Sequence, residues 1–438
     1  MNCHHVFPDL RKLEEKYPKE LVVIGVHSAK FTNEKETENI KKAVMRHELK
    51  HPVVNDSDLA IWKAYGVSAW PSLVLIDPDG NISATKSGEG AFDWADPKIA
   101  ALIKAFDKRL NRDVIAFRLD EEKGSVLRFP SKVAATKDRV VVADTNHNRI
   151  VVTDPSGRVE AVIGSTQGFK DGAFTEAQFH RPHGVLISGD LVYIADTENH
   201  RLRVADLKAK TVATIAGTGA QGRSKGGAGM KTMLNSPWDL ALVGDTLYIA
   251  MAGNHAIWTM DVKSGTIGPF SGDGRERLRD GTHASASFNQ PSGLAVIGEK
   301  LYVADSEISG VREVDLDPTG SVRTVIGTGL FEFGDQDGTG EAVRCQHVLG
   351  VAALNGLLVF TDSYNHKIKS VDPKTRETKT LFGDRTPGNA DGKQPRFHEP
   401  AGIAIAGERI YIADTNNHAI RVIDLKTLET STLKIDLK

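Results

Sequence analysis

The sequence of 438 residues predicts an α/β domain followed by an all-β domain built from repeats. Three observations support this division. Strand-like and helix-like segments alternate over the first part of the chain, one pattern recurs six times over the rest, and two domains are the expected number for this length. We expect the first domain at residues 1–110, a linker at 111–124 and the second domain at 125–438.

The first domain is expected to begin with a helix near His5. The apolar run Leu21–His27 that follows is typical of a strand buried on both faces of a parallel sheet. The further expected elements are a helix at Glu34–His47, a strand at Val53–Val54, a helical turn at Leu59–Tyr65, a strand at Ser72–Ile76, a turn at Asp77–Asn81, a return strand at Ile82–Thr85 and a closing helix at Pro97–Leu110. Strands and helices in this order form an α/β sandwich.

This order of elements resembles the thioredoxin fold. Cys3 lies directly ahead of the first helix, where the second cysteine of the family's Cys-x-x-Cys motif belongs. Trp70 and Pro71 precede a strand, at the position of the family's cis-proline, which faces the redox pair. The resemblance implies that Cys3 is a resolving-type cysteine and that Trp70 and Pro71 are its active-site neighbours.

The chain departs from this family at its start. It reads Met1-Asn2-Cys3, so that the first cysteine of the motif would come directly before Met1, and the family's central first strand is absent. Val22–Val26 and Ser72–Ile76 would then lack the ladder partner between them, at about 1–3 kcal/mol for each buried amide left without a bond. We expect an incomplete thioredoxin-like domain in a truncated chain. A natural rearrangement is the alternative.

Six copies of one pattern fill the rest of the chain. Equivalent positions, 52 to 57 residues apart, are Asp144, Asp196, Met251, Asp305, Asp362 and Asp414. Two β-branched and aromatic runs flank a polar turn in each copy, with one further run before them and one after. Four strands per repeat predict the blades of a six-bladed β-propeller. Because the last copy completes its own fourth strand, we expect the ring to close by blade packing, or by the tail Lys434–Lys438 meeting Val114–Leu119.

The polar turns resemble those of NHL repeats. Asn-His pairs occur at Asn199-His200, Asn254-His255, Asn365-His366 and Asn417-His418. The first copy has the order reversed at His147-Asn148, and the fourth has Ile308-Ser309 instead. A thioredoxin-like domain fused to an NHL propeller is the arrangement of the family of NHL-repeat-containing protein 2, and the resemblance spans essentially the whole chain.

The repeated Asp and His side chains could indicate a metal or catalytic site, but a structural role is favoured. An Asp after a strand bonds the backbone of its own turn, and a His at one place in several blades packs between blades. One position of the set is Met251, which offers no hard oxygen ligand for a cation. We therefore expect no metal and no cofactor.

The long connections between blades define one face of the propeller, which we call the long-loop face. They are Gly164–Pro182, Gly217–Pro237, Gly272–Pro291, Gly327–Val348 and Gly383–Pro400. Long loops on a rigid scaffold often carry binding residues. At the starts of the innermost strands we expect His183, Trp238, Asp239 and Ser292 near the central channel. Trp238 either is exposed at the channel mouth, which indicates a binding site, or fills a gap between blades.

Composition bounds the partners and the compartment. Lys and Arg total 55 against 57 Asp and Glu, so the net charge of −2 provides no basic surface for nucleic acid. No apolar stretch reaches membrane-spanning length, and no membrane association is expected. Cys3 and Cys345 are the two cysteines, which favours a reducing compartment such as the cytoplasm.

Two classes of function remain. The resemblance implies a thiol–disulfide oxidoreductase whose propeller is a platform for a protein partner or substrate, with dithiol activity in the full-length parent and little in this chain. The alternative is a non-catalytic interaction scaffold. A peroxide-reducing role is weaker because no Thr-x-x-Cys motif surrounds Cys3. Lyase or lactonase chemistry on the propeller would need converging metal ligands that the repeats do not supply.

Overall fold

The computed structural model describes residues 3–113, 117, 124–164 and 166–437. The chain divides into two compact units, Met1–Lys123 and Gly124–Lys438. The first unit is thioredoxin-like and the second is a six-bladed β-propeller, which confirms the predicted fold class. Most of the expected linker at 111–124, and of the segment Val114–Leu119 in the closure hypothesis, lies outside the described residues.

The first unit contains four α-helices and four strands among its described residues. In chain order they are α1 Phe7–Lys16, β1 Gly25–His27, α2 Thr37–His47, β2 Val53–Asn55, α3 Ala60–Ala64, β3 Ser72–Ile76, β4 Ile82–Ser87 and α4 Ala91–Phe106. Short 3-10 turns cover His4–Val6, Asn33–Lys35 and Asp107–Arg109. The buried core of this unit lies where Leu13 of α1 packs against Ala95 and Ile99 of α4.

The closing helix begins earlier than predicted, at Ala91 rather than at Pro97. Pro97 lies inside the helix, although proline is commonest in a first turn. The earlier start is fixed by a residue distant in sequence, because the Asp9 carboxylate accepts the backbone N–H of Phe92 at 3.1 Å. Gly90 before it has a φ of 77°, a conformation that glycine adopts without strain.

The sheets of the first unit are incomplete. β1 pairs in parallel with β2, β3 pairs antiparallel with β4, and no ladder joins the two pairs among the described residues. In this part of the chain β1 and β3 therefore have no strand between them. The predicted strand Leu21–His27 is present only at its end, as β1, and the predicted burial on both faces is wrong because Ile24 is 59 % exposed. β1 pairs with β2 along one edge only, and the residues before β1 pair with no strand in the described chain. The apolar run is therefore left exposed.

Each blade of the propeller has four antiparallel strands, here called a to d in chain order. Blade 1 is Val133–Ala135, Val140–Asp144, Arg149–Thr153, Val159–Ile163; blade 2 is Val185–Ser188, Leu191–Asp196, Arg201–Asp206, Thr211–Ala216; blade 3 is Pro237–Val243, Thr246–Met251, Ala256–Asp261, Thr266–Ser271; blade 4 is Pro291–Ile297, Lys300–Asp305, Gly310–Asp315, Ser321–Ile326; blade 5 is Val348–Leu354, Leu357–Asp362, Lys367–Val371, Glu377–Phe382; blade 6 is Pro400–Ala406, Arg409–Asp414, Ala419–Asp424, Thr430–Thr432. Six buried apolar clusters lie between successive blades, one at each interface. Stacking therefore supplies the core, as the repeats predicted.

The prediction of four strands per blade is incomplete for blades 2 to 5. A two-residue strand from the preceding long connection pairs with strand d; these strands are Gly172–Ala173, Gly227–Ala228, Gly281–Thr282 and Gly338–Thr339. Where an Asp precedes the glycine, its carboxylate accepts bonds from the N–H and hydroxyl of a threonine in strand d, as Asp171 does from Thr214. The connection is thus held against the outer edge of the blade.

The ring closes by blade packing, as expected. Thr415 of blade 6 donates its hydroxyl to the Pro130 carbonyl at 2.8 Å, just as Thr197 of blade 2 donates to Pro237 of blade 3 at 2.7 Å. Strand d of blade 6 comes from the end of the same repeat. The sixth interface therefore has the same hydroxyl–carbonyl bond as the interface between blades 2 and 3, and strand exchange plays no part in it among the described residues.

The repeated His side chains join neighbouring blades, which confirms the structural interpretation. His366 is left-handed, with a φ of 55°, and its Nδ1 accepts the backbone N–H of Glu399 in the next blade at 3.1 Å. His200 and His418 accept equivalent bonds. In blades 1 and 4 the amide oxygen of Asn148 and the hydroxyl of Ser309 replace the imidazole.

The repeated Asp is structural, but its predicted partner is wrong. Its carboxylate accepts a backbone N–H from 16 residues earlier, at the end of the long connection, as Asp414 does from His398 at 2.7 Å. The other oxygen of Asp414 binds the buried guanidinium of Arg421, which also contacts Asp391 of that connection at 2.6 Å. The Asp therefore fixes the long connection, and within its own turn it accepts a side chain and not the backbone, as Asp414 does from the Asn417 amide at 2.8 Å.

Candidate functional site

Cys3 lies at the start of a helical segment, formed by the turn His4–Val6 and then α1. The side chain is partly buried, and neither Cys3 nor Cys345, both described by the structure, is in a disulfide. A thiol at a helix N-terminus is a common arrangement for a reactive cysteine. Position and partial access are thus compatible with thiol chemistry.

Trp70 and Pro71 occupy the loop before β3, and the peptide bond between them is cis, as the resemblance implied. The Trp70 indole stacks on Trp62 with ring centroids 4.3 Å apart, and its Nε1 donates to the Ser28 carbonyl at 2.9 Å. The indole remains 38 % exposed. Trp70 therefore presents a fixed aromatic surface to solvent.

The segment Gly88-Glu89 connects these two parts of the candidate site. Gly88 donates its N–H to the Pro71 carbonyl at 2.9 Å. The next residue, Glu89, bonds the Nδ1 of His5 at 2.7 Å, two residues after Cys3. The helix start that carries Cys3 and the loop that carries Pro71 are therefore held to one short segment.

The histidines beside Cys3, His4 and His5, are packed against other side chains. The His4 ring lies 4.2 Å from that of His47 and 5.7 Å from that of Phe7. Burial, followed by the proximity of His47 and Arg46, lowers the pKa of His4 well below its ordinary value. His4 is consequently neutral at pH 7 and supplies no positive charge that would favour a Cys3 thiolate.

Asp56 is a part of this region that the sequence interpretation missed. The buried carboxylate accepts the N–H groups of Ile61 and Trp62 at 2.9 Å and the Ser28 hydroxyl at 2.8 Å. It thereby anchors both the residue that stacks on Trp70 and the segment whose carbonyl binds Trp70. The signal was an Asp four residues before a short helix, near enough to accept the N–H groups that a first helical turn leaves unbonded.

Cys345 is no partner for Cys3. It is 1 % exposed in the apolar cluster between blades 4 and 5. Burial, together with the charge of Asp362, raises the pKa of its thiol well above the ordinary value. The packing role expected for Cys345 fits this environment.

The four propeller residues predicted near the channel are placed differently from one another. Trp238 is 8 % exposed and its Nε1 donates to His183 of blade 2, so of the two alternatives the indole fills the gap between blades. Ser292 is buried and bonds the carbonyls of Ala304 and Val348, joining blades 4 and 5. Asp239 instead faces a residue that the prediction omitted, Lys132, across the ring.

Neither metal binding nor membrane insertion finds support within the described ranges. In residues 3–113, 117, 124–164 and 166–437 no group of three His, Cys, Asp or Glu side chains could hold a metal ion. In the same part of the chain no helix is long and apolar enough to cross a membrane.

Comparison with known proteins matches each unit to a family. Residues 1–82 match a thioredoxin-like family, and residues 127–152, 179–205 and 397–423 match the NHL repeat. Over 99 % of its length the chain is 42 % identical to NHL repeat-containing protein 2 of Homo sapiens, of which it covers 66 %. Over its whole length it is 43 % identical to protein SUPPRESSOR OF QUENCHING 1, chloroplastic, of Arabidopsis thaliana, of which it covers 44 %.

A more distant relative matches the first unit. Thiol-disulfide oxidoreductase YkuV of Bacillus subtilis is 24 % identical over 110 residues, which cover 25 % of this chain and 67 % of that protein. The chain spans slightly less than two thirds of the length of the NHL repeat-containing protein 2 relatives. The chain thus joins a thioredoxin-like domain to an NHL-repeat β-propeller and is homologous over nearly its whole length to NHL repeat-containing protein 2.

Proposed function

We propose that the chain is a thiol–disulfide oxidoreductase-like protein in which Cys3 is the reactive thiol and the propeller binds a protein partner or substrate. The observation that carries the proposal is the joint attachment of the Cys3 helix start and the Pro71 loop to Gly88-Glu89. The similarity of the first unit to a thiol-disulfide oxidoreductase supports the same chemistry.

The chemical step is one thiol–disulfide exchange. The Cys3 thiolate attacks one sulfur of a disulfide, a new S–S bond forms to Cys3, and the other sulfur leaves as a thiolate with the bonding electron pair. Releasing the product from Cys3 then needs a second thiol. Because Cys345 is buried in the other unit, the chain performs this exchange once and does not turn over alone.

The exchange can be tested with oxidised glutathione and intact-mass measurement. We expect the native protein to gain one glutathione at Cys3, the Cys3→Ser variant to gain none, and the Cys345→Ser variant to behave like the parent. In urea both cysteines should react, which shows that Cys345 is protected by folding. A native Cys3 that stays unmodified would contradict the proposal.

A cysteine inserted directly before Met1 would restore Cys-x-x-Cys spacing with Cys3. We expect the inserted cysteine to accelerate insulin reduction by dithiothreitol, whereas a serine inserted at the same place has no effect. The unmodified chain should resemble the serine variant. If the cysteine insertion is as slow as the serine insertion while folded, the dithiol assignment is wrong.

A non-catalytic scaffold is the second candidate, favoured by the burial of Cys345 and by the neutral His4 beside Cys3. Both candidates use the long-loop face for a protein partner. The Asn side chains of the turns donate to carbonyls of the long connections, such as Asn365 to Gly334 at 2.7 Å, so turns and connections form one rigid face. The face opposite the long-loop face carries short hairpins, such as Gly244-Asp245. Surface substitutions there, such as Asp245→Asn, should leave partner binding unchanged.

A further inference from the structure

Strand a of each blade lines the central channel, and one position of this strand has different residues in different blades. The second residue after the conserved proline or its equivalent is glycine in four blades: Gly184, Gly293, Gly350 and Gly402. A Cβ added to any of these glycines would lie 2.2–2.8 Å from a backbone atom of a neighbouring blade. Blades 1 and 3 carry Lys132 and Asp239 at this position instead.

These two exceptions have opposite charge and meet each other. The Lys132 Nζ lies 3.3 Å from Asp239 Oδ2 in blade 3 and donates to the Leu349 carbonyl in blade 5 at 2.7 Å. Since blades 3 and 5 both lie two places from blade 1, on opposite sides of the ring, the lysine side chain has to cross the central channel. The equivalent residue in the other four blades is glycine and has no side chain to place in the channel.

The carboxylate of Asp239 is also bonded on its own side. Its Oδ2 accepts the N–H of Leu294 in blade 4 at 3.1 Å, and its Oδ1 accepts the N–H of Leu240 at 3.0 Å. Lys132 is 6 % exposed, and burial lowers its pKa against the opposing effect of Asp239. A buried charge of this kind is tolerated only with its partner in place.

We propose that Lys132 and Asp239 form a latch across the propeller axis, which ties blade 1 to blades 3, 4 and 5 and closes the central channel. Bonds between adjacent blades alone hold each blade to two neighbours. The latch adds direct coupling between blades that do not touch along the ring. A ligand of the long-loop face is then bound at the rim, because the channel is occupied by the protein's own side chains.

Hydrogen exchange measured by mass spectrometry in the full chain tests the latch, since peptides report each blade separately. Lys132→Met and Asp239→Asn should each lower protection of strand a in blades 3, 4 and 5 at least about tenfold, because each leaves a buried charge without its partner. The double variant has no buried charge, although the single amide oxygen of Asn can accept only one of the Leu294 and Leu240 N–H groups. It should therefore recover part of the protection lost in either single variant.

Lys263→Met is the matched control. Lys263 pairs with Asp245 at 2.6 Å on an exposed hairpin, where its side chain is 75 % exposed, and its loss should leave protection unchanged. If a single variant fails to fold while the double variant folds, the latch is supported. Losses that multiply in the double variant, or single variants that match Lys263→Met, would overturn it.

Discussion

At the scale of single residues, three kinds of side chain make the same hydrogen bond between neighbouring blades. In five blades a residue in the left-handed conformation accepts a backbone N–H from the next blade. The acceptor is an imidazole at His366, an amide at Asn148 and a hydroxyl at Ser309. Imidazole can accept only while it is neutral. The choice of His therefore makes an interface sensitive to pH where Asn would not.

His366→Asn tests this sensitivity. Burial, opposed by the charge of Glu399, lowers the pKa of His366 from 6.5 to about 4. The neutral form is favoured by folding, so its stabilising contribution is complete above pH 6.5 and is lost as the pH falls from 6.5 towards 4. For one such group the free energy of unfolding should fall by on the order of 2 kcal/mol between pH 7 and pH 5.

In His366→Asn this part of the pH dependence should disappear while the interblade bond is kept, because Asn148 makes that bond in blade 1. Urea unfolding at pH 7 and pH 5 measures the difference. His366→Ala, which loses the bond, should be destabilised at both values. Parallel pH profiles for the parent and His366→Asn would show that His366 does not titrate in this range.

At the scale of the element, four blades share a clamp made of three charged groups. The strand-end Asp binds a cation seven residues later, and that cation binds the Asp of the long connection; the cations are Arg203, Arg312, Lys369 and Arg421. Blade 3 lacks every member, with Met251, Trp258 and Gly226 at these places and Pro269 in place of the threonine. In blade 3 the parts are thus replaced together, as expected for groups that are buried as one unit. Blade 1 keeps Asp144 but has Val151 seven residues later, and there Arg149 pairs with the Asp at 2.7 Å.

Removing one member of a clamp should be costly. Arg421→Met leaves the buried carboxylate of Asp414 without its cation, and we expect a loss of about 3–5 kcal/mol in the free energy of unfolding of the propeller. Arg158→Met is the matched control, because Arg158 also pairs with an Asp but is 80 % exposed, and it should change stability by less than about 0.5 kcal/mol. Equal effects on denaturant unfolding in the two variants would refute a clamp at Arg421.

At the scale of the whole molecule, the two units differ in how completely their strands are paired and their apolar residues are buried. The propeller closes through six apolar interfaces between blades, whereas the described part of the first unit has two separate two-stranded sheets and exposed apolar residues such as Val22 and Ile24. Isolated two-stranded sheets are marginal in water. The units should therefore differ in their independent stability.

The propeller at residues 124–438 should fold without the first unit. Limited proteolysis of the full chain should leave a resistant fragment of propeller size, and the separately expressed propeller should show the hydrogen-exchange protection that it has in the full chain. Residues 1–123 alone should be far less protected. Loss of both units at the same protease concentration would contradict this difference.

The sequence by itself determined the order of the two units, the number of blades and the strands of each blade. It could do so because one pattern recurs at a nearly constant spacing, and its alternation of turns and β-branched runs is local information. The place of Cys3 before a helix and of Pro71 before a strand was also local. The repeat alignment even contained the clamp and the channel exceptions, Lys132 and Asp239, although neither was recognised.

Only the tertiary structure decided which residues bond to each other. Asp414 bonds a residue 16 positions away, Lys132 reaches two other blades, and α4 starts at Ala91 because Asp9 accepts an N–H there. Burial also depended on what packs nearby: Trp238 lies within a blade interface, and the apolar run before β1 is exposed for want of a second ladder partner in the described chain. These outcomes rest on contacts between residues far apart in sequence, which no local pattern encodes.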